Sequence, residues 1–256
     1  MKSLVAFDFD HTLIDDNSDM WVLRCAPGGE LPERLDYRGD DDGVGGGVGG
    51  TWTDHMNRVL RYLGEEVGVT AAEMRATIEA VPDTPGMPQL LRFLADHPEQ
   101  FECVIVSDAN SAFIGWVLES RGCRPLFREL LTNPASVDAG GSLVLLPFHG
   151  GGGGRQHGCS RCPANMCKRA ALRSFVERHG GYGRVIYVGD GGNDVCPALA
   201  LLPGDVVLPR RGYQLERALA ALEQAQPGAV QATVVPWESG DEILEHVRAL
   251  AQGAAL

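Results

Sequence analysis

Asp8-Phe9-Asp10-His11-Thr12-Leu13 follows directly on the short apolar run Leu4-Val5-Ala6-Phe7. Two carboxylates one residue apart repel each other, and each raises the other's pKa. A bound cation removes that cost, and the end of a strand in an open α/β sheet is where ligands bind. The pair points to metal-assisted chemistry with a carboxylate as nucleophile; a turn capped by two acids is the plainer reading. Three later segments carry further chemistry. Val104-Ile105-Val106 leads into Ser107-Asp108-Ala109-Asn110, a hydroxyl donor beside another carboxylate. Lys168 stands alone as a cation, and a lone Lys on a helix is ordinarily a solvated group. Val188-Gly189-Asp190-Gly191-Gly192-Asn193-Asp194 joins glycines that permit close backbone approach to two acids able to bind a hard cation through oxygen.

These groups need strands and helices to bring them together. Strand-length apolar runs recur at residues 4–7, 103–106, 185–188, 205–208 and 230–235. Their β-branched, non-alternating character predicts strands buried on both faces of a parallel sheet. Leu90, Leu91 and Leu94 mark one intervening helix. Pro163 opens a second that carries Met166, Lys168, Leu172, Phe175 and Val176 and stops at Gly180-Gly181. Ile243, Leu244, Val247, Leu250 and Ala251 form the apolar stripe of a last helix. Alternating strands and helices predict an α/β, three-layer, doubly wound parallel sheet. Residues 1–18 and 86–256 would form this core. Residues 19–85 show no good strand, and Met56, Val59, Leu60 and Leu63 fall at helical spacing, so this interval reads as a helical cap insertion. Glycine-rich tracts at about 39–50 and 150–154 read as flexible insertions, since neither has the Lys-Ser/Thr ending of a phosphate loop.

The bulk properties narrow the class. A chain of 256 residues with 44% hydrophobic and 22% charged side chains suits one large α/β unit or a core with an insertion. A net charge of -12 argues against nucleic acid, which needs a basic patch. No apolar segment reaches the roughly 20 residues of a membrane span. Asp8 and Asp10 interrupt the only candidate signal sequence, and seven cysteines do not suggest a secreted disulfide scaffold. A cytoplasmic enzyme with reduced thiols is expected.

The order of these motifs resembles the haloacid dehalogenase (HAD) superfamily of phosphotransferases. A closer resemblance, over nearly the whole chain, is to the phosphoethanolamine/phosphocholine phosphatase family. It rests on DFDHTLIDDNSD (8–19), SDAN (107–110), RCPANMCK (161–168), VGDGGNDVCP (188–197), PRRGY (209–213) and VVPWE (234–238). The resemblance implies a HAD-like, Rossmannoid fold and a Mg²⁺-dependent phosphomonoesterase that hydrolyses phosphoethanolamine and phosphocholine to the free alcohol and phosphate. Asp8 would be the nucleophile that becomes an aspartyl-phosphate. Asp10 would protonate the leaving alkoxide and then activate water. Mg²⁺ would be held by Asp8, the Asp10 carbonyl and Asp190, with Asp194 orienting this group or ligating through water. Ser107 and Lys168 would grip the phosphoryl oxygens. Pyridoxal 5′-phosphate and thiamine monophosphate are the alternative substrates, and a catalytically dead binding module is the alternative class.

The resemblance also places Asp19 and Asp108 at the cationic end of the substrate, where carboxylates suit an ammonium. Trp21, Trp52 and Tyr62 could add cation–π attraction, although core packing is the commoner role for each. His157, Cys159, Cys162 and Cys167 form an H-x-C-x₂-C-x₄-C cluster with His149 nearby. It reads either as a small zinc site or, more ordinarily, as packed reduced thiols.

Overall fold

The computed structural model describes residues 1–37, 51–150 and 157–252. The glycine tract at 39–50 and most of that at 150–154 lie outside the described residues. The core is a parallel six-stranded sheet. Its strands are β1 (Ser3–Phe7), β2 (Phe101–Asn110), β3 (Phe127–Asn133), β6 (Arg184–Gly189), β7 (Val206–Pro209) and β8 (Thr233–Val234), ordered β3-β2-β1-β6-β7-β8. The chain winds outward from β1 to β3, then returns to the other side of β1 and continues to β8. The winding direction therefore reverses between β1 and β6, where Phe7 pairs with Val188. Such a reversal opens a crevice at the carboxyl ends of the strands.

Successive strand residues face opposite sides, which divides the apolar runs between two cores. On one face Val5, Phe7, Cys103, Ile105, Ile186 and Val188 pack beneath α4 (Met87–Asp96), α5 (Ser111–Ser120) and α9 (Gly240–Ala251). On the other, Leu4, Ala6, Val104, Val106, Tyr187 and Val207 pack beneath α6 (Lys168–His179) and α8 (Gln214–Ala225). Burial on both faces is why these strands read as continuous apolar runs.

Between β1 and α4 the described residues form α1 (Ser18–Trp21), α2 (Trp52–Arg61), α3 (Ala71–Glu79) and single helical turns. Reciprocal side-chain caps start two of these helices, Thr51 with Asp54 and Thr70 with Glu73. Met56, Val59, Leu60 and Leu63 are buried, as their spacing predicts.

Three features differ from the sequence reading. The edge strand β3 was not expected, because Arg128 and Glu129 break its apolar run; an edge strand tolerates such charges. A hairpin of β4 (Ala135–Val137) and β5 (Leu143–Leu145) was also missed. It reaches α2, where Asn57 exchanges hydrogen bonds with Leu145 at 2.9 and 2.8 Å. Two distant stretches of chain thus pack together at α2 and β5. Finally, α6 begins at Lys168 rather than near Pro163, with Cys167 still extended. Residues 157–167 carry turns and bends in place of helix, and Cys159, Cys162 and Cys167 among them are buried.

Candidate active site

Asp8 is the first residue beyond β1. Its N–H donates to the Val188 carbonyl at 2.9 Å, and its own Oδ1 accepts from the Phe9 N–H at 2.7 Å. The chain then turns tightly, with His11 in the left-handed region at φ 51°. Asp10 is held by the Ser18 N–H, which donates to its Oδ1 at 2.8 Å. Arg210, beyond β7, clamps the turn from outside. It donates to the His11 carbonyl at 2.6 Å and pairs with Asp15 at 2.5 Å.

Lys168 lies beneath Asp8 and is 1% exposed. Its ammonium bridges Asp8 Oδ2 at 2.6 Å and Asp194 Oδ1 at 2.8 Å. Burial alone would lower its pKa, but the two carboxylates outweigh burial and hold it above the ordinary lysine value. Starting α6 at Lys168 places the side chain at the helix entrance, aimed at the strand ends. Asp194 is saturated by donors: Lys168 and the Tyr187 hydroxyl (2.6 Å) on Oδ1, the Asp190 and Gly191 N–H groups (3.0 and 2.9 Å) on Oδ2. Its packing explains Gly189, where a Cβ would lie 2.4 Å from Asp194 Oδ2.

Above these groups is a cleft of about 260 Å³ lined by Asp8, Asp10, Asp19, Trp52, Asp108 and Asp190, among others. Ser107, also at the end of β2, is fully buried and is not part of the lining. Its Oγ accepts from the Ala109 N–H at 3.3 Å, which leaves the hydroxyl free to donate. Asn133 fixes this loop by donating to the carbonyls of Asp108 and Ala109. Asp19 accepts from the Trp52 indole at 2.7 Å on one oxygen, while its buried Oδ1 has no hydrogen-bond partner among the described residues. Of the three aromatic candidates, only Trp52 reaches the cleft. Trp21 binds the Thr77 carbonyl and lies under Arg24, and Tyr62 stands beside Arg34.

The site is strongly acidic. Burial, reinforced by Asp194 and Asp190 and opposed by Lys168, drives the Asp8 pKa well up. Asp10 is raised by burial and then by Asp19. Burial pushes Asp19 up to about 6, and burial with Asp194 pushes Asp190 up to about 7. Carboxylate oxygens of Asp8, Asp190 and Asp194 lie within 4.8 Å of one another. One lysine cannot neutralise three buried acids, so a hard divalent cation fits this donor set. The sequence reading missed Tyr187, Asn133 and the clamping role of Arg210. Only PRRGY, unusual for its paired arginines, signalled the last.

The sheet order, the crevice between β1 and β6 and the helices above it define a HAD hydrolase fold. A substrate-bound phosphoserine phosphatase is similar with a TM-score of 0.60 and 14% identity, over 96% of this chain and 98% of that one. A HAD family hydrolase from Salmonella enterica serovar Typhi gives 0.58 and 14% identity, over 94% and 69%. At that identity the likeness is one of fold.

The chain belongs to the phosphatase family whose model is described as "Putative Phosphatase", which matches residues 3–251. The pyridoxal phosphate phosphatase PHOSPHO2 of Mus musculus is 43% identical, covering 98% of this chain and 99% of that protein. The phosphoethanolamine/phosphocholine phosphatase of Homo sapiens is 42% identical, covering 96% and 88%. The protein is accordingly a phosphatase of the HAD superfamily, and no helix among its described residues is long and apolar enough to cross a membrane.

Proposed function

We propose that this phosphatase hydrolyses phosphoethanolamine and phosphocholine through an aspartyl-phosphate on Asp8. A carboxylate oxygen of Asp8 attacks phosphorus, and the bond to the alcohol oxygen breaks. Asp10 gives its proton to the departing alkoxide; a pKa raised by burial and by Asp19 suits that role. Asp10 then takes a proton from water, which attacks phosphorus, releases phosphate and frees Asp8. The Ser107 hydroxyl and the Lys168 ammonium hold phosphoryl oxygens as charge develops. Asp8, Asp190 and the Asp10 carbonyl would hold Mg²⁺, which would neutralise charge on the transferring group. With both oxygens saturated, Asp194 fits better as the group that orients Lys168 and the 190–191 backbone than as a direct ligand.

In this reading residues 19–85 form the cap and residues 1–18 and 86–256 the core. Seven unpaired cysteines suit a reducing, cytoplasmic setting.

The observation that supports the substrate is the buried Oδ1 of Asp19 in an acidic cleft, which has no hydrogen-bond partner among the described residues. An ethanolamine ammonium could donate to that oxygen and a choline ammonium could set its charge against it, with Asp108 and Trp52 lining the same cleft. The name of the mouse relative supports a second reading, pyridoxal 5′-phosphate. A panel of phosphoethanolamine, phosphocholine, pyridoxal 5′-phosphate, thiamine monophosphate and p-nitrophenyl phosphate, ranked by kcat/KM with Mg²⁺, separates them. The two cationic alcohol esters should rank highest. Asp19→Asn and Asp108→Asn should reduce activity on them more than on p-nitrophenyl phosphate. Equal losses on all substrates, or pyridoxal 5′-phosphate ranking first, would overturn the headgroup assignment.

A further inference from the structure

Cys159, Cys162, Cys167 and Cys196 are all buried and converge on one point. Each offers a sulfur, and the four sulfurs lie within 4.8 Å of one another. Cys196 Sγ is 3.7 Å from Cys159 Sγ and 3.9 Å from Cys167 Sγ. A zinc–sulfur bond of about 2.3 Å gives a regular tetrahedron with edges of about 3.8 Å. These separations match that edge and are far too long for a disulfide, which needs about 2.05 Å.

Packing alone does not account for the cluster. Among the described residues the four cysteines form a cluster of their own, with Ala170 as the one partly buried apolar residue packed against it and no Leu, Ile or Phe in it. Three of the four belong to the irregular stretch 157–167, in which Met166 is the one other buried hydrophobic residue among those described. His157, the fourth member suggested by sequence spacing, is engaged elsewhere: Nε2 with the Pro163 carbonyl at 2.9 Å and Nδ1 with the Cys159 N–H at 3.1 Å. Cys196, distant in sequence, takes its place.

The geometry points to a structural tetrathiolate zinc site formed by Cys159, Cys162, Cys167 and Cys196, separate from the acidic cleft. Binding Zn²⁺ displaces the thiol protons to solvent and leaves four thiolates on the metal. With four protein ligands and no open position, the ion is structural rather than catalytic. The Arg169 guanidinium, next to this cluster, offsets part of its negative charge. The site also has a consequence for the phosphatase. Cys167 immediately precedes Lys168, and Cys196 follows Asp194 by two residues, so one ion would tie together the two segments that meet in the Lys168–Asp194 ion pair.

The test uses the full chain, free of any histidine tag, grown with zinc and purified in a phosphine reductant without chelator. Excess Mg²⁺ is used to clear the acidic cleft. Elemental analysis should find one zinc per chain. Cobalt exchanged into the protein should show the sulfur-to-metal charge-transfer and intense visible bands of a tetrahedral thiolate site. Cys159→Ser and Cys196→Ser should lose the zinc and the cobalt signature, while Cys103→Ser keeps both. Wild-type protein with only trace zinc and no cobalt–thiolate bands would overturn the proposal and leave packed thiols. A full zinc content that survives both substitutions would overturn it too. Because stoichiometry and cobalt spectrum are read on the wild type, a variant that fails to fold does not remove the test.

Discussion

Asp19→Asn should make the free protein more stable and a poorer enzyme for cationic substrates. Asp19 is raised from its ordinary 3.8 to about 6, chiefly by burial. Ionising such a group inside the fold costs about 3 kcal/mol more than in water. Asparagine keeps an oxygen for the Trp52 indole, now at 2.7 Å, and carries no charge to bury. The folded protein holds the Asp19 proton more tightly than the unfolded chain. Its contribution is therefore favourable below about pH 4 and is lost as pH rises through about 6. The variant's advantage should be about 3 kcal/mol at pH 8, about half that at pH 5 and near zero below roughly pH 4. For a chain of this size that corresponds to a rise in Tm of about 6–12 °C at pH 8. Denaturant and thermal unfolding of both proteins without Mg²⁺ or substrate, across this pH range, give the measurement. Because Asp19 is also the largest charge raising Asp10, the alkaline limb of the variant's kcat profile should move to lower pH. A stability difference between variant and wild type that is the same at pH 5 and pH 8 would show that Asp19 is not desolvated in the fold.

Asp10→Asn should cut kcat on phosphoethanolamine at least about a hundredfold while sparing the first step with p-nitrophenyl phosphate, whose leaving group needs no proton. Burst kinetics separate that step from slow dephosphorylation. Lys168→Met would leave the Asp8 and Asp194 carboxylates buried without their shared cation, at a cost of about 3–5 kcal/mol measured by denaturant unfolding at pH 8. The deficit should shrink as pH falls and Asp8 protonates, because its pKa is already driven up.

What was legible in the sequence is what a strand end displays locally. Asp8 and Asp190 each follow an apolar run, and the doubly wound order places the two run ends side by side, with their carboxylate oxygens within 4.8 Å. The helical interval after β1 announced itself through Met56, Val59, Leu60 and Leu63. Partnerships across long stretches of chain were not legible, since periodicity carries no information about them. Arg210 meets Asp15 across 195 residues, Trp52 meets Asp19 across 33, and Cys196 meets Cys167 across 29. The hairpin at 135–145 was hidden by three-residue strands, and the true start of α6 by an irregular segment whose last residue, Cys167, is extended.

The proposed reaction requires phosphate to pass through a covalent bond to Asp8. Rapid acid quench of wild-type protein with ³²P-labelled phosphoethanolamine and Mg²⁺ should trap a hydroxylamine-sensitive acyl phosphate that peptide mapping places on Asp8. Asp8→Asn should show neither the label nor turnover. Phosphate release that persists in Asp8→Asn, or label mapped to another residue, would contradict the account.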